Sequence, residues 1–163
     1  MSNNCGKTFS GYSSFPDDPE DSFHGKLLVA HIETCLDNEI IVPFKVGDNT
    51  SRTWIFTRTS EHVQLKHQHL HKDGTPDEIS NYGGNADSGD SALVQAASHT
   101  ELSQISLSFP ADDYTRKLLP EAATNVWNIT LLSNPENGYA GIVYYLTRHD
   151  KPRFKALLTL EPE

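Results

Sequence analysis

From Lys26 onward the chain is built of short runs rich in β-branched and aromatic residues, with turn residues between them. "KLLVAHIETCL" and "EIIVPFKV" are separated by "DN", "RTWIFTRT" follows "GDNTS", and "HVQLKHQHLHK" follows "SEH". Such side chains suit a pleated, half-buried surface, so each run reads as a strand and the first two as a hairpin. Pro43 cannot donate to a ladder, which makes the second run an edge strand or a bulged one. "SALVQAAS" and "ELSQISLSF" are two further strands, and the end of the chain repeats strand and turn through "NVWNITLLS", "NPENG", "YAGIVYYLTR", "HDKPR" and "FKALLTLE". One segment breaks the pattern. In "PADDYTRKLLPEAAT", Pro110 with Asp112 and Asp113 opens a short helix and Pro120 limits it. About eight or nine strands at hairpin spacing predict a single antiparallel all-β domain. The expected form is an up-and-down, lipocalin-like β-barrel, closed or nearly so, or a cupin-like sandwich, with one short helix.

A chain of 163 residues is one domain by size, and at this length about 70% of the unfolded surface can be buried. Residues 1–24, with "SSFPDDPEDSF", read as a loosely ordered arm, fixed only where Phe9, Tyr12, Phe15 or Phe23 docks; residues 25–163 are the barrel. The longest polar connection, "DGTPDEISNYGGNADSGDS" at 73–91, has the length of a functional loop. A net charge of −9 with only 13 Lys and Arg argues against nucleic acid and anionic lipid as partners. No apolar run approaches membrane-spanning length. The N-terminus lacks a basic and then apolar leader, so the chain as written is expected to be cytoplasmic, or secreted or periplasmic if a leader has been removed. Two cysteines, Cys5 and Cys35, read as free thiols in a reducing compartment, with pairing left open in an oxidising one. Nothing in the sequence sets an oligomeric state.

Four of the eight histidines fall within residues 62–78. Along a strand, alternate residues share a face, so Val63, Leu65, His67, His69 and His71 point one way and Lys66, Gln68, Leu70 and Lys72 the other. The histidine face continues an apolar face, so it points inward. Imidazoles two residues apart start roughly 6.5–7 Å apart and can lean onto one ion at about 2.0–2.1 Å. Those four apart start roughly 13 Å apart and cannot. His67 with His69, or His69 with His71, is therefore the expected metal pair, the first of them foremost. His31, in a run where Leu27, Val29 and His31 share a face, is the candidate to complete the set from across the barrel. Inward histidines without a metal would instead be hydrogen-bonding or acid–base groups in a pocket.

Other residues cluster around this strand in sequence. Asp73, Thr75, Asp77 and Glu78 in "DGTPDE" most simply form a polar turn, with Asp73 a candidate ligand contact and Glu78 a candidate acid or base. Tyr82 in "NYGGN" sits where a flexible loop could fold over the pocket as a lid. Trp54 and Arg58 share a strand face with Phe56, and Arg58 could pair with a substrate acid. No nucleophile elbow, phosphate loop or dinucleotide fingerprint is present.

"HQHLHKDGTPDE" faintly resembles the cupin H-x-H pattern, although six residues separate His71 from Glu78 where cupins usually have three or four. "LKHQHLHKDGTPDEISNYGG", with "TWIFTRT" before it and "FPADDYT" and "NVWNITLL" after it, resembles a group of uncharacterised bacterial proteins. That group is marked by a K-H-x-H-x-H-x-D-G-T stretch, a downstream Y-G-G and an F-P-x-D, and the likeness covers roughly residues 52 to 160. It implies that the histidine strand matters and carries no activity with it.

The sequence therefore leads to a small barrel enzyme of hydrolase, lyase or isomerase type. It would use a divalent transition metal, zinc foremost, held by His67, His69 and His31, with His71, Glu78 and Tyr82 as catalytic groups and Trp54, Arg58 and Asp73 contacting a small-molecule substrate. Its alternatives are a non-catalytic barrel that anchors a small apolar or amphipathic ligand through the histidines, and a metal-free enzyme with a histidine base.

Overall fold

Strand alternation carries through to the architecture. The computed structural model describes residues 4–87 and 103–162. Among these residues the strands are β1 (Thr8–Phe15), β2 (Leu28–His31), β3 (Thr34–Cys35), β4 (Glu39–Val46), β5 (Asn49–Arg58), β6 (His62–His69), β7 (Tyr82–Asp87), β8 (Ser103–Pro110), β9 (Val126–Asn134), β10 (Tyr139–Arg148) and β11 (Lys151–Leu160). A short helix, α1 (Asp113–Leu118), follows β8 and leads into a 3-10 turn at Pro120–Ala122.

The strand order is β7-β6-β5-β4-β2-β1-β11-β10-β9-β8, with β3 added beside β4. All these pairings are antiparallel, and the last strand returns to the first, as Phe9 faces Leu160 and Gly11 faces Leu158. The result is an up-and-down barrel, closed along this path and open between β7 and β8. Among the described residues those two strands meet through a single bridge, from Gly84 to Ala111 just past the end of β8.

Glycine makes that seam possible. A Cβ on Gly84 would overlap the Pro110 carbonyl, and one on Gly83 would overlap the Leu65 carbonyl. The buried Thr115 hydroxyl of α1 then stitches the join, accepting from Gly83 N–H at 2.7 Å and donating to Gly83 C=O at 2.8 Å. Asp112 caps α1 by accepting from Thr115 N–H at 2.9 Å, as the sequence predicts for this position, and pairs with Lys66 of β6. Burial acts to raise the Asp112 carboxyl, but hydrogen bonds from Lys66 and Thr115 outweigh it and hold it low.

The interior is filled from many strands by residues such as Phe9, Leu28, Phe44, Trp54, Leu65, Phe109, Ile129, Ile142 and Leu158. Each such side chain contributes about 1.5–3 kcal/mol by leaving water. No helix among the described residues is long and apolar enough to cross a membrane.

Four features differ from expectation. The first 24 residues are not simply an arm: β1 is a central strand between β2 and β11, and Phe9 is fully buried. Its Ser- and Gly-rich composition hides this, because Gly11 packs directly against the Leu157 backbone, where a side chain would not fit. Tyr82 lies on β7 rather than on a loop tip, so it is a fixed wall and not a lid. Pro43 sits inside the sheet, where β4 exchanges β2, its partner at Phe44, for β3, its partner at Ile41; the missing donor falls in that break. Finally, Cys5 and Cys35 form a disulfide with Cα atoms 6.1 Å apart, tying the segment before β1 to β3. The predicted strand at residues 91–98 lies outside the described residues.

Candidate functional site

β6 directs its odd-numbered residues inward, as read from the sequence. Leu65 and His67 are buried and His69 is half-buried. β5 lies antiparallel beside it and aligns Trp54 with His67 and Arg52 with His69. Trp54 is a buried core residue, stacked on Phe44 at 4.4 Å between centroids and tilted against Tyr144 at 4.9 Å.

His67 has a partner at each nitrogen. Nδ1–H donates to the Tyr82 carbonyl at 3.2 Å, which fixes the tautomer, so Nε2 accepts from the Tyr144 hydroxyl at 3.2 Å. Its ring stacks on Tyr82 at 4.9 Å and leans on Trp127 at 5.2 Å. Burial pushes the imidazole down to about 3; the bond to the Tyr82 carbonyl opposes this, and His69 and Lys66 add to it. His67 is thus a neutral hydrogen-bonding hub.

Next along the strand, His69 Nε2 meets the Tyr82 hydroxyl at 2.9 Å. Burial and then the Arg52 charge lower its affinity for a proton, with Asp77 acting the other way. Burial raises the Tyr82 phenol to about 12, and it raises the Tyr144 phenol as well. Both hydroxyls therefore keep their protons, and Tyr82 O–H and His69 Nε2 share a hydrogen bond.

The other predicted site residues are elsewhere. His31 points away from the interior because Leu28 and Ala30, not Leu27 and Val29, are the inward pair of β2. Its Nδ1 meets the Thr8 hydroxyl at 3.0 Å, toward the end of the barrel opposite His69. His71 lies beyond the end of β6 and is exposed; its N–H donates to Thr75 C=O at 2.8 Å and starts a tight turn. Exposed Asp73 serves that turn, accepting from Thr75 N–H at 3.0 Å and from the Thr75 hydroxyl at 2.6 Å, which lowers its carboxyl below the usual range. Glu78 is exposed on the same outer loop. Arg58 sits at the far end of β5, beside an apolar cavity of about 290 Å³ lined by Phe56, Val63, Leu107, Ile129 and Leu131. Among the described residues no group of three or more His, Cys, Asp or Glu is placed to hold a metal ion.

Four residues of the site escape the sequence reading: Arg52, Trp127, Tyr144 and Phe154. The strand alternation that puts Trp54 and Arg58 on one face also reaches Arg52, two residues earlier. Tyr144 follows Ile142 at the same spacing on β10, and both face inward. Trp127 and Tyr144, together with Tyr82, Phe154 and Phe23, line a cavity of about 210 Å³ at the histidine end of the barrel. Asp21, Glu121, Arg148 and Arg153 line it too, and the Asp21 carboxylate accepts from Phe23 N–H at 3.0 Å and pairs with Arg153 at 3.5 Å.

No protein-family model, no curated protein and no solved structure matches this chain. The class of protein is therefore defined by fold and interior alone: an up-and-down β-barrel with a cavity at one end lined by aromatic and charged residues.

Proposed function

We propose that the protein is a small-ligand-binding barrel that seats its ligand in the cavity bounded by Tyr82, Trp127, Tyr144 and Phe154. The observation that carries this reading is the pairing of that aromatic cavity with a rigid polar floor, the Tyr82–His67–Tyr144 chain of hydrogen bonds. Aromatic walls with a few fixed polar groups are the usual makeup of small-molecule sites. A cavity of about 210 Å³ is below the ~300–1,000 Å³ that drug-sized ligands occupy, so the ligand is small.

A metal at His67 and His69 fits less well. His67 Nε2 would first have to give up the Tyr144 hydroxyl, while His31 faces outward on Thr8 and His71 stands on an exposed turn. Metal content by plasma mass spectrometry, on tag-free protein beside His67→Ala and His69→Ala, tests that alternative directly. The ligand-binding reading is tested by mass spectrometry of molecules released when natively purified protein is denatured. It predicts a co-purifying small molecule, or saturable fragment binding that perturbs Trp127, without turnover. Absence of both sinks it.

A further inference from the structure

Among the described residues Arg52 is a cation without a counterpart. Its Nη1 is buried and has no hydrogen-bond partner there, and none of the four ion pairs among those residues includes it. The guanidinium packs over the Phe23 ring at 5.4 Å and stands opposite His69 across the β5–β6 ladder. A stacked ring compensates only part of what that nitrogen loses on leaving water, and a buried guanidinium N–H without an acceptor is costly. Its field reaches His69, Tyr82 and Tyr144, and both tyrosines line the aromatic cavity together with Phe23.

The missing partner is an anion, and the surroundings narrow its class. Guanidinium forks match carboxylates in two-point geometry. One unpaired cation balances one negative charge, whereas a dianionic phosphate would leave excess charge buried. His69 stands beside Arg52 on the next strand, and its tautomer with the proton on Nδ1, in which Nε2 accepts from Tyr82, supplies a second donor. The cavity offers the rings of Phe23, Trp127, Tyr144 and Phe154 to a flat apolar body, beside two carboxylates, Asp21 and Glu121, that balance Arg148 and Arg153 in charge.

We infer that the ligand is a small aromatic carboxylate, its carboxylate seated against Arg52 with help from His69, and its ring among Trp127, Tyr144 and Phe154. This rests on the ligand-binding reading above and adds the chemistry of the ligand. Arg52 and His69 stand behind the cavity lining, so Phe23, which stacks on the guanidinium and lines the cavity, must turn aside for the carboxylate to reach them.

The test titrates sodium benzoate and, separately, neutral benzyl alcohol into the full chain. The Trp127 indole N–H is followed by proton–nitrogen NMR and assigned with Trp54→Phe. Wild type, Arg52→Met and Arg52→Lys are compared, and peak dispersion in the same spectra reports folding. The expected result is saturable benzoate binding at least tenfold tighter than that of benzyl alcohol. Arg52→Met should lose at least tenfold in benzoate affinity and leave benzyl alcohol unchanged. Arg52→Lys, which keeps the charge but not the fork, should fall between, and it stands as the test if Arg52→Met does not fold. Equal binding of the two probes, or benzoate affinity indifferent to Arg52, overturns the carboxylate assignment while leaving a ligand-binding barrel. Binding of neither probe overturns both.

Discussion

The Tyr144 hydroxyl donates to Nε2 of His67 at 3.2 Å, joining β10 to β6 across the barrel interior. Because Nδ1 of the same ring is committed to the Tyr82 carbonyl, the hydroxyl meets an unprotonated nitrogen in the neutral ring. The pair suits a neutral His67, and protonation would force the hydroxyl to turn from donor to acceptor as well as bury a charge.

This makes acid stability a direct readout of His67. Its folded value of about 3 lies below the ordinary 6.5. Above pH 6.5 both folded and unfolded chains carry it neutral, and it adds no pH dependence. As pH falls from 6.5 toward about 3, the unfolded chain takes up a proton that the folded chain refuses. Stability then drops by about 1.4 kcal/mol per pH unit from this residue alone. His69, also held low, adds to the loss, so the informative quantity is the difference between wild type and His67→Gln. Urea denaturation from about pH 4 to about pH 8 should give a shallower slope in the variant; equal slopes would contradict the buried neutral ring.

Removing the hydroxyl alone should also be costly. Tyr144→Phe keeps the ring packing against Trp54 and Phe154 but leaves a buried Nε2 acceptor unmet. The expected loss is about 1–3 kcal/mol. Combining it with His67→Phe should cost less than the sum of the two single changes, since the second removes the orphaned acceptor. Strict additivity in a denaturant-based double-mutant cycle would mean the two groups do not interact.

Which parts of this are legible in the sequence follows from which signals are local. The barrel, the helix between Asp112 and Pro120 and the inward face of β6 all follow from alternation and turn residues, and the structure has them. β1 is hidden because its apolar content is low: Phe9 is buried, while Tyr12 and Phe15 are exposed. His31 falls on the wrong face because "KLLVAHI" is apolar at both parities, so periodicity cannot choose between Leu27 and Leu28. The partnership of His67 with Tyr144 joins residues 77 apart in the chain, and pairing at that range depends on strand order rather than on any local pattern.

The β7–β8 seam gives a third prediction. Gly84→Ala puts a methyl group into the Pro110 carbonyl at the bridge between those strands. Overpacking of this kind costs typically about 1–3 kcal/mol, and here the clash is with backbone, which yields poorly. Thermal melting should show a clear drop for Gly84→Ala, and hydrogen exchange should show the β7 amides losing protection relative to those of β10. Unchanged protection of β7 in Gly84→Ala would contradict a seam closed by backbone contact.

Reduction of Cys5–Cys35 frees the segment before β1 from β3. The bond closes a loop with a sequence separation of 30, and cross-links of that size contribute about 2–4 kcal/mol. Thiol titration of the denatured, unreduced protein should find no free cysteine, and melting with reductant should occur at lower temperature. Two titratable thiols in protein purified without reductant would contradict the pairing.

The most direct measurement is a crystal structure of the protein soaked with benzoate and, in parallel, with benzyl alcohol. Ligand density between Tyr82, Trp127, Tyr144 and Phe154, above an intact His67–Tyr144 bond, is the predicted result. A cavity that stays without ligand at saturating concentrations of both compounds would contradict a ligand site at this end of the barrel.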